Sequence, residues 1–218
     1  TIATGGGHNE VARNMSIGFQ KAGYDTKVLN SLQIAYPQVD SVVSKSYSVL
    51  ADKLPTLYGK LYFGCNHKPA KEMVASTLTT ISSKRNYEAV LEYQPDLIIA
   101  THCFPIPIIT RLKKKGKIAI PLISIITDFF PNSLYIDESV DAYIVGSYYT
   151  KRSLMSMGVP KDKIFAYGIP IKEEFFAMSA PRVPHDTINL LLAGGSMGMS
   201  GIEAILDELV HLDENRYR

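Results

Sequence analysis

A short apolar run, a glycine-rich turn and an amphipathic helix follow one another twice in this chain, and that repeated order constrains the fold more than any other feature. The first copy is Ile2-Ala3-Thr4, then Gly5-Gly6-Gly7-His8, then a helix over 9–22 with Val11, Met15, Phe19 and Ala22 on one stripe and Gly23 as its stop. The second is Asn189-Leu190-Leu191-Leu192-Ala193, then Gly194-Gly195-Ser196-Met197-Gly198, then a helix over 201–212. A strand that runs through a glycine turn into a helix opens a Rossmann-like unit. Between the two copies strand and helix signals alternate, which predicts an α/β fold: a parallel sheet with crossover helices on both faces. Further strands are predicted over 26–30, 95–100, 121–127, 142–145 and 164–167, and helices over 71–92, 108–115 and 150–157. Pro181 and Pro184 stand in a stretch without periodicity, so 177–187 is expected to be a linker. Residues 1–176 would then form one Rossmann-like domain, and 188–218 the opening strand and helix of a second. Both ends read as cut, and the chain is expected to be a fragment.

A length of 218 residues suits one packed α/β domain and the start of another. With 46% hydrophobic and 20% charged residues, the composition is that of an ordinary globular chain and argues against disorder over most of the length. A net charge of +2, with no aromatic and basic platform, gives no support to nucleic-acid binding. Cys65 and Cys103 sit in no CxxC pair and no Cys/His cluster, which argues against structural zinc and fits a reducing compartment. No apolar run approaches the roughly 18–20 residues that span a bilayer, and no signal-peptide pattern is visible.

Gly5-Gly6-Gly7-His8 places a tight turn where a strand's carboxyl end meets a helix's amino end, the ligand edge of open α/β sheets. Glycines admit a close ligand, and the helix end offers N–H groups and partial positive charge. A Walker lysine and the GxGxxG spacing with a later acid are both missing, which weakens the triphosphatase and dehydrogenase readings. His8 would point over the crevice, and histidine, with its ordinary pKa of about 6.5, is a competent general base at neutral pH. The same residue in the same place could instead cap its helix or bond a carbonyl. Ser196 and the N–H groups of Gly194-Gly195-Ser196-Met197-Gly198 could hold a diphosphate, or that turn could be plain strand–helix packing.

As a set, Thr4-Gly5-Gly6-Gly7-His8-Asn9, Gln94-Pro95-Asp96-Leu97-Ile98-Ile99, Ile126-Thr127-Asp128-Phe129 and Gly168-Ile169-Pro170-Ile171 resemble, in order and spacing, the monogalactosyldiacylglycerol synthases and processive diacylglycerol glucosyltransferases. The resemblance covers nearly the whole chain. It implies a GT-B glycosyltransferase whose amino-terminal domain takes the lipid acceptor and whose carboxyl-terminal domain binds a UDP-sugar. It implies inversion at the anomeric carbon and no metal or other cofactor. On this footing His8 would accept the proton of the acceptor hydroxyl, and Asp128 would orient His8 or hold the acceptor. Gly6, Gly7, Asn9, His102 and Phe129 would line the acceptor loop, and Gly194, Gly195, Ser196 and Gly198 the donor diphosphate. From its own context, after a strand at the ligand edge, His102 is expected to be a loop histidine facing water. Relatives often carry histidine and tryptophan shortly after Thr-Asp-Phe, where this chain has Asn132 and Tyr135. That departure bears on the acceptor more than on the reaction.

Residues 46–64 interleave Tyr47, Leu50, Leu54, Leu57, Tyr58, Leu61, Tyr62 and Phe63 with Lys53 and Lys60. Amphipathic, basic, aromatic segments lie in the headgroup layer of anionic membranes, although such a stripe more often faces a core. Tyr58, Leu61, Tyr62 and Phe63 are the expected membrane contacts, and Lys113, Lys114, Lys115 and Lys117 a further basic one. A diacylglycerol acceptor, as the resemblance implies, would place the protein peripherally at the cytoplasmic face of the membrane. Two other readings stay open: sugar transfer to a polyprenyl-diphosphate lipid, and a nucleotide- or lipid-binding module without catalysis.

Overall fold

The computed structural model describes residues 1–2, 6–36, 49–50, 53–177, 190–193 and 201–211. The chain divides into two compact units, Thr1–Ile171 and Lys172–Arg218. In the first, the order is α1 (Gly6–Lys21), α2 (Ser31–Ala35), α3 (Pro55–Gly64), α4 (Lys68–Tyr93), β1 (Ile98–Ala100), α5 (Pro105–Lys114), β2 (Leu122–Ile126), β3 (Ala142–Val145), α6 (Tyr148–Ser156) and β4 (Ile164–Phe165). The second carries α7 (Glu174–Ala177) and α8 (Ile202–Val210).

Four strands form one sheet in the order β1-β2-β3-β4, and every pairing is parallel. Ile98 pairs with Leu122, Ser124 with Tyr143, and Tyr143 with Ile164. Parallel strands are covered on both faces and so read as continuous apolar runs. In β2, Leu122, Ile125 and Ile126 are wholly buried. Leu122 and Ile126 join Val145, Leu154, Ile106 and Leu112 in the main core, so α5 and α6 close over the sheet through their apolar sides. A smaller cluster of Ile2, Leu32, Leu78 and Ile108 ties the chain's first residues to α2, α4 and α5.

Local chemistry sets the helix ends. Asn30 caps α2 by accepting from the N–H groups of Leu32 and Gln33, and Ser147 caps α6 by accepting from Thr150. Prolines open α3, α4 and α5, where a missing N–H costs nothing. Gln94 ends α4 in the left-handed region at φ 49°. The prolines explain why α5 starts at Pro105 rather than at 108.

Residues 26–30, expected as a strand, belong to none of the sheet's four strands; among the described residues the Thr1 amine donates to the Leu29 carbonyl, and the Ser31 N–H donates to the Thr1 carbonyl. Residues 190–193, expected as a buried strand, pair with no strand among the described residues, and Leu191 is 93% exposed. An apolar run is buried as a strand only when neighbours cover it, and no described segment does so here. The remainder of that expected strand, the proline stretch and the second glycine turn lie outside the described residues. No described helix is long and apolar enough to cross a membrane.

Candidate active site

Three segments meet at the carboxyl ends of β1 and β2. β1 runs into Thr101-His102-Cys103, β2 into Thr127-Asp128-Phe129-Phe130, and the first turn of α1 brings His8. This is the edge at which open α/β sheets bind ligands. The helix starts at Gly6, earlier than the spacing of its apolar stripe predicts, so Gly6, Gly7 and His8 belong to the helix and not to a preceding loop. A side chain at Gly7 would meet nothing within 4 Å, so the backbone there is open to approach.

His8 is buried, and its hydrogen bonds define its tautomer. Nδ1 lies 2.8 Å from the Thr101 carbonyl oxygen, which can only accept, so Nδ1 carries the proton. Thr127 Oγ1 stands 2.6 Å from the same nitrogen. Nε2 is then the ring's lone-pair nitrogen, and it faces Asp128 Oδ1 at 3.8 Å. That distance is too long for a hydrogen bond but close enough to stabilise an imidazolium. An imidazole held through Nδ1, with its Nε2 lone pair beside a carboxylate, is able to accept a proton at Nε2.

Asp128 is itself held. Its Oδ2 accepts from the Tyr135 hydroxyl at 2.7 Å and from the Tyr62 hydroxyl at 3.1 Å. Burial first, with the Asp128 charge among the further causes, pushes both phenols well above their ordinary range, so they stay protonated donors at neutral pH. Tyr135 is wholly buried and Asn132 nearly so, the latter capping the turn at Ser133–Tyr135. Tyr135, at one of the departing positions, thus builds the site through Asp128.

His102 does not face water. It is 7% exposed, packed edge to face on His8 and against Phe104, because α5 begins three residues later and folds the loop under. Its Nδ1 accepts from the Phe104 N–H at 3.1 Å. Burial, and then the neighbouring His8, hold its pKa well below 6.5. His102 is therefore neutral and structural in its bonding. Cys103 beside it is buried, which pushes its thiol pKa up and makes it unreactive.

The other expected residues fall in different places. Asn9 accepts from the Thr1 hydroxyl at 2.8 Å. Phe129 is 81% exposed between two anchored neighbours. On α3, Leu61 and Phe63 are exposed, whereas Tyr62 turns inward to Asp128 and to the Phe130 carbonyl. Phe63, Phe130 and Tyr149 form an edge-to-face series, and Phe63 and Phe130 line an open cleft of about 460 Å³ together with Lys71, Asn66 and Ser133. The lysines of 113–117 do not form a free basic face. Lys113 pairs with Asp141, Lys114 with Asp137 and Glu138, and Lys117 sits over the Tyr87 ring. Gly194, Gly195, Ser196 and Gly198 lie outside the described residues. Among the described residues no group of three or more His, Cys, Asp or Glu is arranged to hold a metal.

Sequence reasoning missed Thr101, Thr127 and the tyrosine hydroxyls. Thr127 adjoins Asp128 after a buried strand, a position at which it could have been found. Thr101 acts through its backbone, which no side-chain motif reveals.

Residues 8–171 match the family model described as monogalactosyldiacylglycerol (MGDG) synthase. The chain is 29% identical over 213 residues to a processive diacylglycerol beta-glucosyltransferase of Bacillus mycoides (strain KBAB4), covering 92% of this chain and 53% of that protein. It is 28% identical, with the same coverage, to the enzyme of that name from Bacillus thuringiensis (strain Al Hakam). The chain thus spans about half the length of the curated relatives it matches. The match begins at His8 itself and takes in both loops that hold it, and on that extent the chain belongs to the monogalactosyldiacylglycerol synthase family.

Proposed function

We propose that this chain is the acceptor-side portion of an inverting glycosyltransferase that moves a hexose from a UDP-sugar to diacylglycerol or a glycosyl-diacylglycerol. The observation that carries the reading is the Nδ1–H tautomer of His8, fixed by the Thr101 carbonyl, with Nε2 turned to Asp128. Nε2 takes the proton of the acceptor hydroxyl as that oxygen bonds to the anomeric carbon. The bond from that carbon to the diphosphate oxygen breaks, and UDP departs with the electron pair. Asp128 steadies the imidazolium as it forms. No metal enters this scheme: the leaving diphosphate is held by the turn at Gly194, Gly195, Ser196 and Gly198. Residues 1–176 act as the acceptor domain, 177–187 as the linker and 188–218 as the start of the donor domain. The exposed apolar side of α3, with Leu57, Leu61 and Phe63, meets the anionic cytoplasmic face of the membrane, where the acceptor resides.

The relatives' names support the lipid acceptor. The test uses the full-length protein with diacylglycerol in anionic vesicles and a panel of radiolabelled UDP-sugars. Lipid-extractable label is expected, with a loss of about 10²–10⁴-fold in His8→Ala. Absence of transfer from every donor, or full activity in a folded His8→Ala, overturns the reading. Transfer to a polyprenyl-diphosphate lipid alone would reassign the acceptor.

A further inference from the structure

The α3 helix is tied to the site by one hydroxyl. Tyr62 Oη lies 2.6 Å from the Phe130 carbonyl oxygen and 3.1 Å from Asp128 Oδ2. A phenol has one proton, so these two acceptors share it. Both belong to the short loop that leaves β2, and Tyr62 therefore pins that loop on each side of Phe129. Nearby, the Ser133 N–H donates to Asn66 Oδ1 at 2.8 Å, and the Ser133 hydroxyl donates to the Cys65 carbonyl. The carboxyl end of α3 and the turn after it are thus stapled to the segment that carries Asp128.

Tyr135 reaches the same Oδ2 from within the core, wholly buried. Tyr62 reaches it from a helix whose Leu57, Leu61 and Phe63 are 45%, 54% and 50% exposed. The carboxylate is consequently held between a fixed internal donor and a donor on a surface helix. With Oδ2 occupied by two donors, Oδ1 is the oxygen left toward His8 Nε2. The hydrogen bonds that select which oxygen faces the imidazole also fix its distance.

We propose that Tyr62 is a positioning residue: its hydroxyl sets the Asp128 carboxylate against His8, so that α3 controls the catalytic pair as well as touching the lipid. The inference rests on the reading of His8 as general base. Because the imidazolium exists only as the reaction proceeds, loss of this support falls on kcat and not on acceptor affinity. An interaction routed through Asp128 also vanishes once Asp128 can no longer carry charge.

The experiment measures transfer by the full-length protein to diacylglycerol vesicles for Tyr62→Phe, Asp128→Asn and the double variant, with thermal melting as the folding control. Phenylalanine keeps the ring and removes the hydroxyl. The expected result is a fall of about tenfold in kcat for Tyr62→Phe with an unchanged acceptor KM, and a further fall under about twofold when the change is made in Asp128→Asn. An unchanged kcat, a defect confined to acceptor KM, or full additivity with Asp128→Asn overturns the proposal. Activity surviving in His8→Ala would instead remove the general-base reading beneath it, and the two failures are distinguishable.

Discussion

The imidazoles of His8 and His102 meet edge to face, with ring centroids 4.5 Å apart and planes at 74°. Their environments differ sharply. His102 gives its Nδ1 lone pair to the Phe104 N–H, and burial keeps its ring neutral. His8 keeps its Nε2 lone pair toward Asp128. Two adjacent cations are avoided because the His102 ring is committed to the neutral form.

This commitment makes stability depend on pH. The folded pKa of His102 lies below the unfolded value of 6.5, so the unfolded chain binds more protons once the pH falls below about 6.5. Stability is therefore complete above that pH and declines as the pH drops toward the folded pKa. Asp137 and Asp141, whose carboxyls are held below 3.8 by their lysine and backbone donors, contribute in the same direction only at lower pH. In urea unfolding of the chain from pH 7.5 to 5, His102→Asn, whose amide oxygen can accept from Phe104, is expected to show a shallower decline than the parent. Parallel curves would refute the assignment.

Thr127 shares Nδ1 of His8 with the Thr101 carbonyl. Thr127→Val keeps the shape and removes the hydroxyl. In the full-length protein kcat is expected to drop by about three- to tenfold, with Thr127→Ser close to the parent. Equal activities in all three would leave the Thr101 carbonyl as the sole orienting group.

Asn86 is buried on α4 and donates through Nδ2 to the Ser31 carbonyl at 2.9 Å and the Ser82 carbonyl at 2.8 Å. It joins α4 to the start of α2. Asn86→Ala strands the Ser31 carbonyl, and denaturant titration is expected to show a loss of about 1–3 kcal/mol. A loss below about 0.5 kcal/mol would mean that the interface re-forms without it.

On α3, Leu61 and Phe63 project while Tyr62 turns in. Replacing Leu61 and Phe63 with serine is expected to weaken sedimentation of the full-length protein with anionic vesicles by about tenfold or more. Unchanged sedimentation would assign membrane contact to some other surface.

Much of the sheet was legible because a covered parallel strand is apolar throughout. Residues 122–126 announce β2, and the boundaries of 142–145 match β3. Residues 26–30 look equally strand-like, yet strand pairing is a property of neighbours, and among the described residues theirs is the contact at Thr1. The meeting of His8 and Asp128 at the sheet's carboxyl edge was legible, since each follows a strand signal at a glycine or threonine turn. The orientation of His102 was hidden: whether a loop histidine is wet depends on α5 starting at Pro105 and closing over it. Tyr62 was hidden by its surroundings, because in an apolar stripe a tyrosine reads as a ring, and the hydroxyl's partner lies 66 residues away.

The contacts that orient His8 are remote along the chain. His8 reaches Thr101 across 93 residues and Thr127 across 119. Such closures are slow steps in folding, since chain entropy is lost before they contribute. Helices α1 and α4 need no distant partner to begin forming, but the imidazole acquires its tautomer only after β1 and β2 are side by side. During refolding, helical circular dichroism should therefore recover ahead of the His8 ring resonances, and a kinetically trapped chain would carry native-like helix content with no oriented imidazole.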